Sequence, residues 1–169
     1  MPLSQSLLPE LEHELATTRK CMERVPDAQL GFRPHPKSFS AGDLVTHLAE
    51  IPMWGVVTFD RDEFDMQPPG GPAYERPELK FVADALARFD EKSAAMKAAL
   101  AATSDEAILA PWTLLKAGQR VMTMPRAAVY RTFILNHLIH HRGQLSIYLR
   151  MMDVPVPSIY GPSADEVPF

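Results

Sequence analysis

A single cysteine, Cys21, stands in 169 residues, which excludes an internal disulfide framework and fits a reducing compartment. Long apolar runs are missing as well: none approaches the roughly 18 residues a membrane span needs. Met1 to Lys20 alternates Glu and Leu and lacks the apolar core of a secretory leader. A cytoplasmic protein without membrane contact is therefore expected. Nor is there a basic excess. The net charge of -4 and a pI near 5.8 are the opposite of the electropositive footprint that nucleic-acid binding demands. Arg126, Arg131, Arg142 and Arg150 recur along one stretch, where a solvated outer helix face accounts for them. With 46% hydrophobic and 22% charged residues, disorder and fibrous assembly are excluded too.

What is plentiful is proline, 16 residues, about twice the usual share. The prolines cluster in Arg33-Pro34-His35-Pro36, in Gln67-Pro68-Pro69-Gly70-Gly71-Pro72 and in Val154-Pro155-Val156-Pro157, the pattern of helices separated by stiff loops. Leu7, Leu11, Leu15, Thr18, Met22 and Val25 recur at three and four residues, predicting a first helix over about Leu3 to Arg24. Ser40, with Asp43 three residues on, is a capping-box start for a second helix through Leu44, His47, Ile51, Trp54 and Thr58, with a kink at Pro52. Asp60 to Arg76 reads as a loop. A third helix is predicted from Pro77, with Phe81, Leu86, Phe89, Ser93, Met96 and Leu100 inward. Trp112 to Met124 is compatible with a short hairpin around Ala117-Gly118. Pro125 opens a fourth helix to about Met152, and the tail from Asp153 lies extended. The expectation is an all-α antiparallel four-helix bundle spanning 1–169 as one domain, with room for a short hairpin before the last helix.

On the fourth helix, at about 100° per residue, Tyr130, Phe133, Ile134, His141, Gln144, Tyr148, Met151 and Met152 fall within roughly 60° of His137. The buried stripe is thus expected to centre on His137 and His141, with His140 on its flank and Arg142 facing away. His47 shares a face with Leu44, Ile51, Trp54 and Thr58 and points inward, with Asp43 and Glu50 at the margin. Three neutral imidazoles from two facing helices suit Zn, Ni, Fe(II) or Cu and leave a coordination position open. A closed structural zinc site would want a further ligand, usually thiolate, and nothing places Cys21 nearby. The bland reading of each histidine, a hydrogen-bonded core residue, is the commoner one for a lone histidine on an apolar face. His13 and His35 lie on a polar face and in a loop and are given no role. Met151, Met152 and Trp54 read as packing. Gln144 and Tyr148 are candidate substrate or ligand-orienting groups, and Glu50 or Asp43 a candidate carboxylate.

The run Asn136-His137-Leu138-Ile139-His140-His141-Arg142-Gly143-Gln144-Leu145, followed by Tyr148-Leu149-Arg150, resembles the C-terminal signature of the DinB/YfiT-like family. Val154-Pro155-Val156-Pro157 and Tyr160 to Glu166 are similar to the ending of one DinB branch. Phe32-Arg33-Pro34 and Ser38-Phe39-Ser40, leading to Leu44 and His47-Leu48, match the family's first histidine block, with Phe39 where many members have tryptophan. The resemblance spans nearly the whole chain. It implies a four-helix bundle, often a homodimer, with one divalent metal on His47, His137 and His141; zinc or nickel come first, iron or manganese next. It also places His140 on the family's less constant position, and implies a low-molecular-weight thiol such as bacillithiol or mycothiol as cosubstrate. Two functions follow as expectations: a metal-dependent enzyme of thiol S-transferase or hydrolase type, or a non-catalytic metal-binding or dimerisation module of a stress response.

Overall fold

The structure, a computed structural model, describes residues 1–71 and 78–167. The chain forms α1 (Leu3–Met22), a 3-10 turn (Asp27–Gln29), α2 (Ala41–Asp60), β1 (Glu63–Asp65), α3 (Val82–Ala102) and α4 (Asp105–Leu109). It continues through β2 (Pro111–Lys116) and β3 (Gln119–Pro125) into α5 (Arg126–Val129), a π turn (Tyr130–Leu135) and α6 (Asn136–Met151). The expectation of an all-α four-helix bundle is overturned by a three-stranded mixed sheet in the order β1-β2-β3. Strands β2 and β3 are antiparallel and occupy the stretch read as a hairpin, whereas β1 runs parallel to β2, pairing Glu63 with Thr113 and Asp65 with Leu115. A three-residue strand carries too little period-2 signal to be read locally, and its partner lies some fifty residues on.

The hairpin turn places Ala117 at φ 53° and Gly118 at φ 74°, the double positive-φ geometry of a type I′ turn. Glycine takes that conformation freely; alanine does not. The Asp65 carboxylate compensates, accepting from the amides of Gln67 (2.9 Å), Ala117 (3.0 Å) and Gly118 (2.7 Å). One side chain thereby ties β1 to the turn between β2 and β3.

Helix α2 is central. Ser40 caps it reciprocally: its hydroxyl accepts from the Asp43 amide (3.0 Å) while Asp43 accepts from the Ser40 amide (2.9 Å). Its Leu44, Leu48 and Ile51 are buried with Leu11, Leu15 and Met22 of α1, Phe89, Met96 and Leu100 of α3, and Leu138, Leu145 and Leu149 of α6. At Gly55 a Cβ would lie 2.5 Å from the Met96 sulfur, so the small residue lets α2 and α3 approach closely. The predicted start of the third helix at Pro77 lies outside the described residues; the helix is described from Val82, and Phe81 before it is 57% exposed rather than inward. The cause is phase: Val82, Ala85 and Phe89 form the buried row, and Phe81 falls outside it. Among the described residues no helix is long and apolar enough to cross a membrane.

The largest correction concerns the last helix. Arg142 is 1% and Arg126 5% exposed, not solvated. The Arg142 guanidinium meets the Glu14 carboxylate of α1 at 2.5 Å, with Tyr160 of the tail bonded to both. Arg126 donates to the carbonyls of Thr58 (2.8 Å) and Arg61 (2.9 Å) and pairs with Asp62 at 2.5 Å, closing the C-terminal end of α2. The buried stripe of α6 runs through Leu138, Arg142, Leu145, Tyr148 and Leu149, turned by roughly 100° from the expected centre at His137. Phe133 and Met151, placed inward by sequence, are exposed. Three leucines mark this stripe, but the arginine buried among them conceals it in the sequence.

Candidate metal centre

Turned off the core axis, His137 and His141 look across α6 at α2 from the edge of the packed interior, and all three histidines are half-buried. Their spacing does the first part of the work: residues four apart on a helix share a face, and the two rings stand 4.6 Å apart centroid to centroid. His47 completes the triangle, with ring centroids 5.0 Å from His137 and 4.6 Å from His141. One ligand nitrogen from each of the three lies within 4.8 Å of the others. His47 Nε2 and His137 Nε2 are 3.2 Å apart.

The outer nitrogens are held by the protein. His137 Nδ1 lies 3.3 Å from the Phe133 carbonyl one turn earlier, and His141 Nδ1 lies 2.8 Å from Gln144 Oε1 one turn later. A carbonyl oxygen accepts only, so in both rings Nδ1 carries the proton and the Nε2 lone pair is left to the centre. Burial, the largest cause, holds the His137 imidazole below its ordinary pKa; the Phe133 bond opposes this and the neighbouring His140 adds to it. A neutral ring is the form that ligates a metal.

These residues fit a divalent ion. Tetrahedral zinc with N ligands at about 2.0–2.1 Å separates neighbouring nitrogens by about 3.3–3.4 Å, close to the 3.2 Å between the two Nε2 atoms. Three imidazoles without a thiolate leave a position for water or substrate. A histidine–histidine hydrogen bond would explain one of the three contacts but not the convergence of all three rings.

The other sequence candidates divide. Gln144 sits exposed on α6 with its carbonyl on His141. Tyr148 is buried and donates to the Phe39 carbonyl at 3.1 Å; it props the loop whose Phe39 ring lies 6.0 Å from His47 and 6.3 Å from His141. Glu50 pairs with Lys92 of α3. Asp43 is held in the α2 cap and by Arg33 at 3.0 Å. His140 is exposed and its ring stands 5.0 Å from that of His141, outside the triad. Sequence reasoning missed Phe64 and Met66, which join His47, Glu50, Met53 and Trp54 around a cleft of about 410 Å3; their signal was hidden in a segment read as loop. Phe64 stands edge-on to Trp54 at 5.7 Å.

Comparison with known proteins gives a consistent picture. The DinB superfamily model matches residues 10–145. A Bacillus subtilis (strain 168) protein named "Uncharacterized protein YrdA" is 25% identical over 159 residues, covering 92% of this chain and 86% of that protein. Among solved structures, a DinB-like protein from Bacillus cereus ATCC 10987 superposes with a TM-score of 0.70 at 20% identity, over 92% of this chain and 97% of that one. The DinB-like protein YjoA of Bacillus subtilis gives 0.68 at 17% identity over 97% and 96%. At such identities the structural likeness bears on the fold.

Proposed function

We propose that this chain, which belongs to the DinB superfamily, holds one divalent metal ion on His47, His137 and His141 and uses it for group transfer to or from a thiol, or for hydrolysis. The observation that carries this reading is the convergence of three ligand nitrogens within 4.8 Å of one another, two of them on rings whose outer nitrogens face carbonyl acceptors. Zinc or nickel suits such a set of neutral imidazoles best. When bound, the ion supplies Lewis acidity and lowers the pKa of a coordinated water or thiol.

The chain's own residues supply the rest. Gln144 keeps the His141 ring in one tautomer and one orientation, as ligand-orienting partners do. Tyr148, through the Phe39 carbonyl, holds an aromatic ring against two of the three imidazoles and limits water on that side. Glu50, three residues beyond His47 on α2, lines the same cleft and pairs with Lys92, and its carboxylate offers a hydrogen-bond acceptor to substrate. A cleft opening at His47 favours catalysis over a purely structural ion, because a structural site is closed.

The test is metal content of protein prepared without a histidine tag and dialysed against zinc or nickel. One ion per chain is expected, and His137→Ala should lose it. No bound ion, with the His137→Ala protein indistinguishable in content and stability, would overturn the metal reading. In cobalt-substituted protein a small thiol should change the visible spectrum; no change with any thiol would remove the transferase version and leave hydrolysis.

A further inference from the structure

The cleft beside the triad has a chemistry of its own. It begins at His47 and follows one face of α2 past Glu50 and Met53 to Trp54 and Val57, where Phe64 and Met66 from β1 and its flank close the far wall. Its volume of about 410 Å3 falls in the range of small-molecule sites. Beyond His47, the charged side chain among the described lining residues is Glu50, and Lys92 already pairs with it. The remaining walls are two methionines, two aromatic rings and a valine. Met53 is 42% and Met66 39% exposed, so two flexible thioethers stand open at a pocket rather than filling a core. Strand β1 exists to put Phe64 there, since its parallel pairing with β2 and the Asp65 bonds fix it against Trp54.

We propose that this cleft binds the apolar body of a small-molecule substrate whose metal-seeking head group reaches His47, His137 and His141. The inference rests on the metal-centre reading for its head-group end, and on the cleft alone for its apolar end. An anionic body is disfavoured: no unpaired cation lines the described walls, and a carboxylate does. The neutral, apolar part of the substrate is what distinguishes it from a hydrophilic thiol such as glutathione.

The test uses the full chain in two arms. In the zinc-loaded protein, binding of straight-chain alkyl thiols from ethanethiol to hexanethiol is read by quenching of Trp54, with Trp54→Phe as the control, since Trp112 is buried. Affinity should rise about three- to four-fold per methylene, and hexanethiol should bind far more tightly than glutathione. In metal-free protein, the uncharged fluorophore N-phenyl-1-naphthylamine should still bind, and Met53→Glu with Met66→Glu should abolish that binding, while the same variant after zinc loading should hold as much zinc as wild type. Affinity flat with chain length, glutathione binding more tightly than hexanethiol, or fluorophore binding unchanged by the two glutamates would each overturn the proposal. The fluorophore arm needs no metal, so absence of zinc would defeat the metal reading and leave the cleft still judged on its own.

Discussion

Replacing Arg142 by leucine should be among the most damaging single changes away from the histidines, and the structure says why. The guanidinium is 1% exposed and the Glu14 side chain 7%; they meet at 2.5 Å, and Tyr160 Oη lies 2.9 Å from each Glu14 carboxylate oxygen. In Arg142→Leu the carboxylate stays buried beside α6 without its counter-charge. Breaking one side of such a pair costs about 3–5 kcal/mol, and Glu14→Leu should cost as much, because it strands the guanidinium. The double variant removes both charges, and leucines fill comparable space; it should recover to within about 1–2 kcal/mol of wild type, since buried pairs are often replaceable by apolar residues. The coupling between the two positions is then about 4 kcal/mol or more. Urea unfolding followed by far-UV circular dichroism measures it: with a slope near 2 kcal/mol/M, each single variant should move the midpoint down by about 1.5–2.5 M. A single-variant loss under about 1 kcal/mol, or a double variant as weak as the sum of the singles, would refute the assignment of Arg142 to a dry, paired environment.

Two further outcomes follow from the site and the core. Gln144→Ala should weaken metal affinity about 10- to 100-fold in chelator competition with little change in unfolding midpoint, since Gln144 is exposed; Gln144→Glu, which keeps an oxygen on His141 Nδ1, should restore most of it, and equal affinity in all three proteins would count against an orienting role. Cys21 is fully buried, and desolvation pushes its thiol up to about 11 against the opposing pull of Arg142 and Arg24; the thiolate fraction at pH 8 is thereby lowered about a hundredfold, so an aromatic disulfide reagent should label it only as the protein opens, and rapid stoichiometric labelling in native buffer would contradict the burial.

How much of this was legible beforehand depends on whether the information was local. The four long helical segments came from periodicity and punctuation, and the Ser40–Asp43 cap from two residues three apart. The i, i+4 histidines were legible because one helix turn alone sets their common face. Helical phase around the core was not legible, because Arg142 and Arg126 look solvated in sequence and are buried by partners more than sixty residues distant: Glu14 for one, the Thr58 carbonyl and Asp62 for the other. Strand β1 was invisible for the same reason, its three residues being ordered by β2 and by the turn amides that Asp65 accepts. The cleft depends on that strand, so its aromatic wall could not be read either.

The π turn explains why the last helix serves two neighbours. In an unbroken α-helix Tyr130 lies only about 20° from His137, on the triad's face. A π turn takes up one extra residue, which leaves the equivalent of six α positions between them and swings Tyr130 to about 120°, the face that carries Leu138, Arg142 and Leu149. The contacts agree: Tyr130 is buried with its hydroxyl 3.4 Å from the Leu7 carbonyl of α1, and Arg142 meets Glu14 on the same helix. His137 and His141 are thereby freed to address α2. The Phe133 carbonyl that holds His137 Nδ1 lies within this π turn, so the same irregularity that sets the core phase also presents the acceptor that fixes a ligand's tautomer. Such insertions are frequent at functional positions, and here the reason is geometric: one face brings both Tyr130 and Arg142 to α1 while two rings, one turn apart, turn toward His47.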